Sequence, residues 1–248
     1  MKKNGKHSRD NIFAKPSEML VDFVFDEQVA SVFPDMIRRS VPGYDTIIPM
    51  LGVFAEHYVQ ANTSVYDLGC SLGAATISIR RRIQQENCKI IAVDNAEAMV
   101  DTCKQNVEND NSTTPVEVVC EDILNIGINN ASLVVINFTL QFLAPDKRSE
   151  LLANIYQGLN SGGAVVLAEK VICDDQDKQV FYDELHTSFK RANGYSDLEI
   201  SQKRSALEKV LIPDTSEQHI ARLKTCGFEF VTTWFQCFNF SAFCAVKS

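Results

Sequence analysis

Residues 64–75 read Ser-Val-Tyr-Asp-Leu-Gly-Cys-Ser-Leu-Gly-Ala-Ala, and this stretch decides the fold. The apolar run from Ser64 to Leu68 is typical of a short buried strand. The small residues after it allow a tight turn into a helix that begins near Ala74. A strand, a glycine-rich turn and a helix in this order open a nucleotide-binding βαβ unit, in which the ligand lies against bare backbone. The stretch therefore predicts an α/β fold with a nucleotide-type ligand at the turn.

The turn departs from the dinucleotide pattern G-x-G-x-x-G/A at its second glycine. Ser71 stands at that position, and Ala74 occupies the last one. The serine weakens the case for a bound pyrophosphate, while Asp67 at the end of the strand suits a ligand with a positive amino group. A glycine-rich turn without any ligand is the alternative. The ligand is favoured by Asp94, which follows the turn at the distance where an acid binds ribose hydroxyls.

The composition is that of an ordinary globular protein, with 248 residues, 45% hydrophobic and 23% charged. A formal net charge of -8 argues against a broad nucleic-acid-binding face. No apolar run approaches the roughly 20 residues of a membrane span, and the basic N-terminus lacks the apolar core of a secretory signal. The eight cysteines are scattered without metal-ligand spacing, so we expect thiols in a reducing cytoplasm and no metal site.

Strands and helices alternate from Ser64 to Glu169. This alternation predicts a doubly wound, mostly parallel sheet with helices on both faces and a ligand site beyond the carboxyl ends of the strands. The predicted strands are 64–68, 89–93, 116–120, 133–137 and 164–169, followed by a C-terminal antiparallel hairpin of strands 228–234 and 238–246. The predicted helices are 27–39, 47–58, 73–85, 96–108, 146–158, 176–192, 196–211 and 216–226. We expect a Rossmann-like, seven-stranded single domain over residues 16–248, with a helical insertion at about 176–211, after a disordered tail of residues 1–15.

Polar side chains follow three of these strands. Asp94-Asn95 ends the second strand, Asp122-Ile123 follows the third, and Asn137 ends the fourth. An acid beside an apolar residue suits an adenine ring, because the acid accepts from the amino group while the apolar side chain packs on the ring. The alternatives are that Asn95 caps the helix beginning at Ala96 and that Asp122 is a solvated loop acid.

The residues quoted so far, together with the terminal hairpin, resemble the class I S-adenosyl-L-methionine-dependent methyltransferases. Within that superfamily the chain is similar to the family of carboxy-S-adenosyl-L-methionine synthases. The similarity is carried by residues 25–37, 40–44, 137–143, 189–195 and 200–204. It covers nearly all of the chain beyond the first dozen residues. The segment 189–204 is the most specific part, because ordinary methyltransferases vary freely there.

The resemblance implies an unusual reaction. Members of the family transfer the carboxyl group of prephenate to the sulfonium methyl of S-adenosyl-L-methionine (SAM), giving carboxy-S-adenosyl-L-methionine (carboxy-SAM) and phenylpyruvate. A separate enzyme then uses carboxy-SAM to carboxymethylate wobble uridine in tRNA. The resemblance further implies a cytoplasmic homodimer that uses SAM as a substrate, needs no metal and itself binds neither RNA nor a membrane.

The resemblance also implies a set of ligand contacts, carried over residue by residue. They are Tyr44, Gly69, Cys70, Ser71, Asp94, Asn95, Asp122, Ile123, Asn137 and Arg204. Arg204 is implied to bind the new carboxylate, for which the planar guanidinium is suited. From the residues alone, an exposed helix charge paired with Glu199 or Glu208 is the alternative. Lys190 and Arg191 are weaker candidates for the carboxylates of prephenate.

No histidine follows a strand end, because His57, His186 and His219 all fall on predicted helices. We therefore expect catalysis by positioning and charge placement rather than by a histidine base. Two other functions stay open at the level of sequence. An ordinary SAM-dependent methyltransferase of a small molecule or RNA would share every cofactor residue, and a silent ligand-binding protein would share the fold.

Overall fold

An eight-stranded sheet forms the centre of the protein, in a computed structural model that describes residues 8–16 and 23–248. The strand order is β3-β2-β1-β4-β5-β8-β7, and β6 pairs with β5 beside this path. Strands β1 to β6 pair with one another in parallel, whereas β8 is antiparallel to both β5 and β7. The strands are β1 Ser64–Leu68, β2 Lys89–Asp94, β3 Val116–Cys120, β4 Ala131–Asn137, β5 Leu159–Ile172, β6 Asp214–Thr215, β7 Phe230–Cys237 and β8 Phe240–Val246.

The predicted mostly parallel sheet with a C-terminal hairpin is confirmed, with one additional strand. Strand β5 extends to Ile172, beyond the predicted end at Glu169, and its last residues pair with Asp214 and Thr215. The helices are α1 Glu27–Ser40, α2 Tyr44–Tyr58, α3 Ala74–Arg80, α4 Glu97–Asn109, α5 Pro145–Gly158, α6 Gln176–Ala192, α7 Asp197–Leu207 and α8 Ser216–Thr225. None of the helices in the described part of the chain combines the length and apolar character needed to cross a membrane.

The core has two halves, one on each face of the sheet. Successive residues of a strand point to opposite faces. On β4, Val134 and Ile136 therefore pack in one apolar cluster with Leu152, while Leu133 and Val135 pack in the other with Ile79. Helices cover both faces, which explains why β1 and β4 are buried along nearly their whole length.

The observed starts of two helices agree with the starts predicted from the sequence, whereas the observed ends of two helices differ from the predicted ends. Capping boxes at Ser196 and Thr215 begin α7 and α8, in agreement with the predicted helix starts at residues 196 and 216. Helix α3 ends at Arg80, before the predicted residue 85, because residues 81–88 form turns that return the chain to β2. Helix α7 ends at Leu207, and the chain after it is held by a hydrogen bond from the Ile212 N–H to the Gln141 carbonyl (2.9 Å).

Residues 8–16 pack onto the domain instead of forming the disordered tail predicted for residues 1–15. Asp10 is only 2% exposed, and its carboxylate accepts a hydrogen bond from the hydroxyl of Tyr195. The Gln202 amide donates to the carbonyls of Phe13 (2.8 Å) and Lys15 (3.0 Å). These partners lie more than 180 positions away in the chain, so no local pattern could indicate them. Residues 1–7 of the predicted tail lie outside the described residues.

Candidate active site

A cavity of about 960 Å³ lies beyond the carboxyl ends of β1, β2, β4 and β5. The order of the strands reverses between β1 and β4, the place where α/β sheets bind their ligands. Helices α1, α6 and α7 close the opposite side. Its volume is near the top of the range of about 300–1,000 Å³ seen for small-molecule sites, which leaves room for two small substrates together.

All ten residues that the sequence predicts for the site line this one cavity. They are Tyr44, Gly69, Cys70, Ser71, Asp94, Asn95, Asp122, Ile123, Asn137 and Arg204. The structure thus brings together side chains and backbone from six separate stretches of the chain. That each of them contacts a ligand stays a prediction.

The turn after β1 has the backbone conformation of a glycine-rich loop even where glycine is missing. Gly69 has φ = 83°, and a Cβ atom there would collide with the side chain of Thr139. Ser71 also adopts a left-handed conformation, with φ = 49°. Its N–H donates to Asp94 Oδ2 at 2.9 Å. The serine therefore occupies the strained position of the second glycine and is held there by the acid of the neighbouring strand.

Asp94 connects two loops at the floor of the cavity. Besides the Ser71 N–H, its carboxylate accepts the N–H of Ala96 at 3.0 Å. The alternative that Asn95 caps α4 is wrong, because the helix has Ala96 as its N-cap and no side-chain cap. Burial raises the pKa of Asp94, while the backbone N–H groups of Ala96, Ser71 and Asn95 oppose that shift. A carboxylate has about four acceptor positions, so Asp94 can still accept a hydrogen bond from a ribose.

Asp67 lies beneath the cavity and not in its wall. Its side chain is fully buried, and Oδ2 accepts a hydrogen bond from the Thr76 hydroxyl at 2.5 Å. The interpretation of Asp67 as a direct partner for a ligand amino group is therefore wrong. Burial raises the pKa of Asp67 to about 6. Its other oxygen, Oδ1, has no hydrogen-bond partner among the described residues. The acid supports the turn from below.

Asp122 and Ile123 have the arrangement expected for a site that holds an adenine ring. Asp122 is exposed and caps a short 3-10 turn by accepting the Leu124 N–H at 2.9 Å, while Ile123 is buried against the cavity. Two aromatic side chains that were not predicted from the sequence also form part of the cavity wall. Phe25 and Phe142 both line the cavity and meet edge to face, with ring centroids 5.5 Å apart.

Asn137 presents an unused acceptor at the centre of the site. The side chain ends β4, and its Oδ1 atom is buried without a hydrogen-bond partner among the described residues. Leaving such an atom unpaired costs about 1–3 kcal/mol, and a bound donor removes that cost. Tyr44 lies in the first turn of α2, with its ring 6.4 Å from that of Phe138. The helix begins directly after Gly43, three residues before the predicted start at residue 47, so Tyr44 belongs to the helix.

A buried acid at the end of β5 shapes one wall, and the sequence analysis missed it. Glu169 accepts the backbone N–H groups of Thr139 (3.1 Å), Leu140 (2.8 Å) and Gln141 (3.2 Å). Full burial raises its pKa to about 8, against the effect of these three donors. The contact fixes the 3-10 turn 140–142, which supplies Gln141 and Phe142 to the cavity. An acid that follows a long apolar run was the only available signal.

Four cationic side chains line the end of the cavity formed by β5, α6 and α7. They are Lys170, Lys190, Lys203 and Arg204. Burial lowers the pKa of Lys190 to about 8 and that of Lys203 to about 7, and neighbouring cations add to both shifts. Arg204 has no ion pair or hydrogen bond with any other described side chain, so the alternative pairing with Glu199 or Glu208 is not seen.

Arg191, the other predicted candidate for a substrate carboxylate, lies elsewhere. Its side chain does not line the cavity, and it pairs at 2.7 Å with the exposed carboxylate of Asp197. The prediction for Arg191 is therefore wrong. It failed because Lys190 and Arg191 are consecutive on a helix and point in different directions.

The three histidines in the described part of the chain provide no evident base. His186 lines the cavity, but its Nε2 lies 2.8 Å from the Ser40 carbonyl oxygen, and burial beside Lys190 lowers its pKa to about 3. His219 is buried away from the cavity, and His57 packs on the ring of Tyr58. Within residues 8–16 and 23–248, no group of three or more His, Cys, Asp or Glu side chains is arranged to hold a metal ion.

Comparisons with known proteins agree with this geometry. A family model described as a methyltransferase domain matches residues 65–163. A solved putative SAM-dependent methyltransferase from Methanococcus maripaludis superposes with a TM-score of 0.59 at 18% identity, covering 94% of this chain and 98% of that one. Human N-acetylserotonin methyltransferase in complex with SAM gives a TM-score of 0.59 at 17% identity, covering 98% of this chain and 64% of that one.

Two relatives are similar to this chain over nearly its whole length. Proteins from Shewanella sediminis and Shewanella oneidensis, each named carboxy-S-adenosyl-L-methionine synthase, are 59% and 60% identical to the chain over 240 residues. Each alignment covers 97% of this chain and 99% of the relative.

The fold and the cavity at its switch point define the class of protein, an enzyme with the fold of the SAM-dependent methyltransferases. Identity of this degree over nearly the full length then settles the family. The chain belongs to the carboxy-S-adenosyl-L-methionine synthases, which are transferases.

Proposed function

We propose that the enzyme transfers the carboxyl group of prephenate to the methyl group of SAM. The observation that carries the proposal is the guanidinium of Arg204, unpaired among the described residues, at the cationic end of a cavity whose other end carries Asp94 and Asp122. An adenosine with free hydroxyl and amino donors suits the acidic end, and carboxylates suit the cationic end. A site for an ordinary methyl transfer has no need of four cations beside the reacting group.

The chain's own residues bind and orient SAM in this proposal. Asp94 accepts from the ribose hydroxyls, Asp122 accepts from the adenine amino group, and Ile123 packs on the ring. Asn137 Oδ1, which is buried and has no partner in the described part of the chain, accepts from a donor of the bound ligand. The backbone at Gly69 lies open to the cavity, where any larger residue would displace Thr139.

The reaction balances without an added base. When prephenate becomes aromatic it breaks two bonds, losing CO2 from C1 and hydroxide from C4, and phenylpyruvate remains. The hydroxide removes a proton from the sulfonium methyl and becomes water, and the resulting carbanion forms a carbon–carbon bond to CO2. Arg204 then holds the new carboxylate with its planar, permanently charged guanidinium. The protein contributes position, exclusion of water and fixed charge.

We also propose a homodimer and a role in tRNA modification. Helices α6 and α7 stand outside the sheet, and α6 exposes two large apolar side chains, Val180 (47%) and Phe181 (55%), which supports an interface there. Carboxy-SAM made in the cytoplasm would be consumed by a separate enzyme that carboxymethylates wobble uridine. This chain needs no contact with RNA, in keeping with its net charge of -8.

Mass spectrometry of small molecules tests the proposed reaction. Purified enzyme incubated with SAM and prephenate should release a species heavier than SAM by one CO2, together with phenylpyruvate. Formation of S-adenosylhomocysteine with a methylated acceptor would instead indicate an ordinary methyltransferase. Consumption of neither substrate would indicate a ligand-binding protein without activity.

A further inference from the structure

The cations of the cavity are not equivalent, because only some of them are already paired. Lys203 Nζ lies 2.9 Å from Ser40 Oγ and 3.9 Å from Asp10 Oδ2, so this ammonium is held by the protein itself. The ammonium groups of Lys170 and Lys190, in contrast, have no ion pair or hydrogen bond with another described residue, although both side chains are half-buried in the cavity lining. Two partly desolvated ammonium groups without partners are suited to bind an anion.

The surroundings of these two lysines keep their charge uncompensated. The groups close enough to affect them are the carboxylate of Asp183 on α6, which favours both charges, and the guanidinium of Arg204 on α7, which opposes both. Lys170 also lowers the pKa of Lys190. Beyond them lie neutral His186 on α6 and Lys203 on α7, and Lys203 has Asp10 of the N-terminal segment and Asp35 of α1 as its acidic neighbours. Asp183 is thus the acid that acts on both Lys170 and Lys190, and one carboxylate beside two ammonium groups and the Arg204 guanidinium leaves a net positive pocket.

The chemistry of the proposed reaction decides which carboxylate belongs in that pocket. The donor carries two, one that departs as CO2 and one on a keto-acid side chain that stays in the product. An ion pair to the departing carboxylate would stabilise the ground state and oppose its loss, whereas an ion pair to a part of the substrate that does not react serves to position it. Arg204 is already assigned to the carboxylate formed on the methyl carbon.

We propose that Lys170 and Lys190 form a subsite for the keto-acid carboxylate of the donor, the carboxylate that is not transferred. This inference rests on the proposed function and adds the residues that select a 2-keto acid with this side chain. It makes one direct prediction. The keto-acid product retains the same carboxylate, so it should bind the same lysines after the reaction.

Binding of phenylpyruvate to an unreactive complex tests the subsite without requiring turnover. The enzyme is saturated with S-adenosylhomocysteine, which has no methyl group to react, and phenylpyruvate is titrated by calorimetry. Lys190→Met and Lys170→Met should each raise its dissociation constant by about 10- to 100-fold, the usual effect of one charge-assisted hydrogen bond. The methyl ester of phenylpyruvate, which lacks the charge, should bind the wild type and both variants with the same weak affinity.

Lys178→Met is the matched control, because Lys178 lies on the same helix as Lys190 but does not line the cavity. It should bind phenylpyruvate as the wild type does. Lys170 is in the central sheet, so its replacement could impair folding. Folding is verified by the affinity of each variant for S-adenosylhomocysteine, which should stay within about twofold of wild type. If Lys170→Met does not fold, the result for Lys190→Met decides.

Any of three results would overturn the subsite. Lys190→Met could bind phenylpyruvate within twofold of wild type, Lys178→Met could lose as much phenylpyruvate affinity as Lys190→Met, or the wild type could fail to bind phenylpyruvate. The proposed function is judged separately by the wild-type reaction. An enzyme that binds phenylpyruvate through these lysines but makes no carboxy-SAM would keep the subsite and refute the activity.

Discussion

Replacing Asp94 with asparagine removes one acceptor from a side chain that serves two loops and, in our proposal, the ribose. Asparagine has one carbonyl oxygen and one NH2 group, so it can no longer accept from both the Ser71 N–H and the Ala96 N–H. One buried donor then loses its partner, which destabilises the free and the bound enzyme alike by about 1–3 kcal/mol. The remaining oxygen is occupied by the other backbone donor, so the charged hydrogen bond to the ribose, about 1.5–3 kcal/mol, is lost. That loss predicts that SAM binding weakens by about 10- to 140-fold.

The assay is calorimetric titration of Asp94→Asn with SAM, S-adenosylhomocysteine and carboxy-SAM. All three ligands share the ribose, so all three should lose affinity by the same factor. Asp101→Asn is the control, because Asp101 is on α4 with an exposed side chain paired only to Lys104. If a folded Asp94→Asn variant binds SAM within threefold of wild type, then Asp94 is only a loop acid. A loss confined to carboxy-SAM would equally refute the assignment.

Three further predictions concern the cationic end and the N-terminal segment. Arg204→Ala should weaken carboxy-SAM binding by about 30-fold or more and SAM binding by less than threefold; equal losses, or the same effect in Arg191→Ala, would contradict the role. The KM for prephenate should rise above about pH 8, by up to tenfold per pH unit, because the free ammonium of Lys190 is present below its pKa of about 8 and lost above it. A pH profile of Lys190→Met should be flatter. Asp10→Ala should destabilise the fold by about 1–3 kcal/mol in denaturant unfolding, because the Tyr195 hydroxyl loses its acceptor.

The acidic end of the site could be predicted from the sequence because its geometry is local. Asp94, Asp122 and Asn137 each follow a strand directly, and parallel strands bring their carboxyl ends to one edge of the sheet. Once the alternation of strands and helices was recognised, the convergence of these residues followed. The same reasoning placed the turn at Ser71, although not its strained backbone.

The cationic end depended on contacts that no local pattern encodes. Arg204 was identified only through the resemblance to a family, and Lys170 was missed because a lysine after a long strand looks like any solvated charge. Arg191, which lies outside the cavity, and Lys190, which lines it, differ by a single helical position, about 100° around the axis. That Lys190 binds a substrate carboxylate stays a prediction. The docking of Asp10 depends on a partner 185 residues away, which only the folded chain reveals.

The strand order has a consequence for how the enzyme is made. Strand β5, which contributes Lys170, pairs on one side with β4 and on the other with β8, the last strand of the chain. During synthesis, residues 159–172 therefore leave the ribosome before residues 240–246, the strand that pairs with them. At about 5–20 residues per second, the edge of β5 that faces β8 stays unpaired for several seconds. An unpaired edge is open to other chains during that time. We expect aggregation of nascent chains to depend on the rate at which the C-terminal hairpin is synthesised, while β1, β2 and β4 pair earlier.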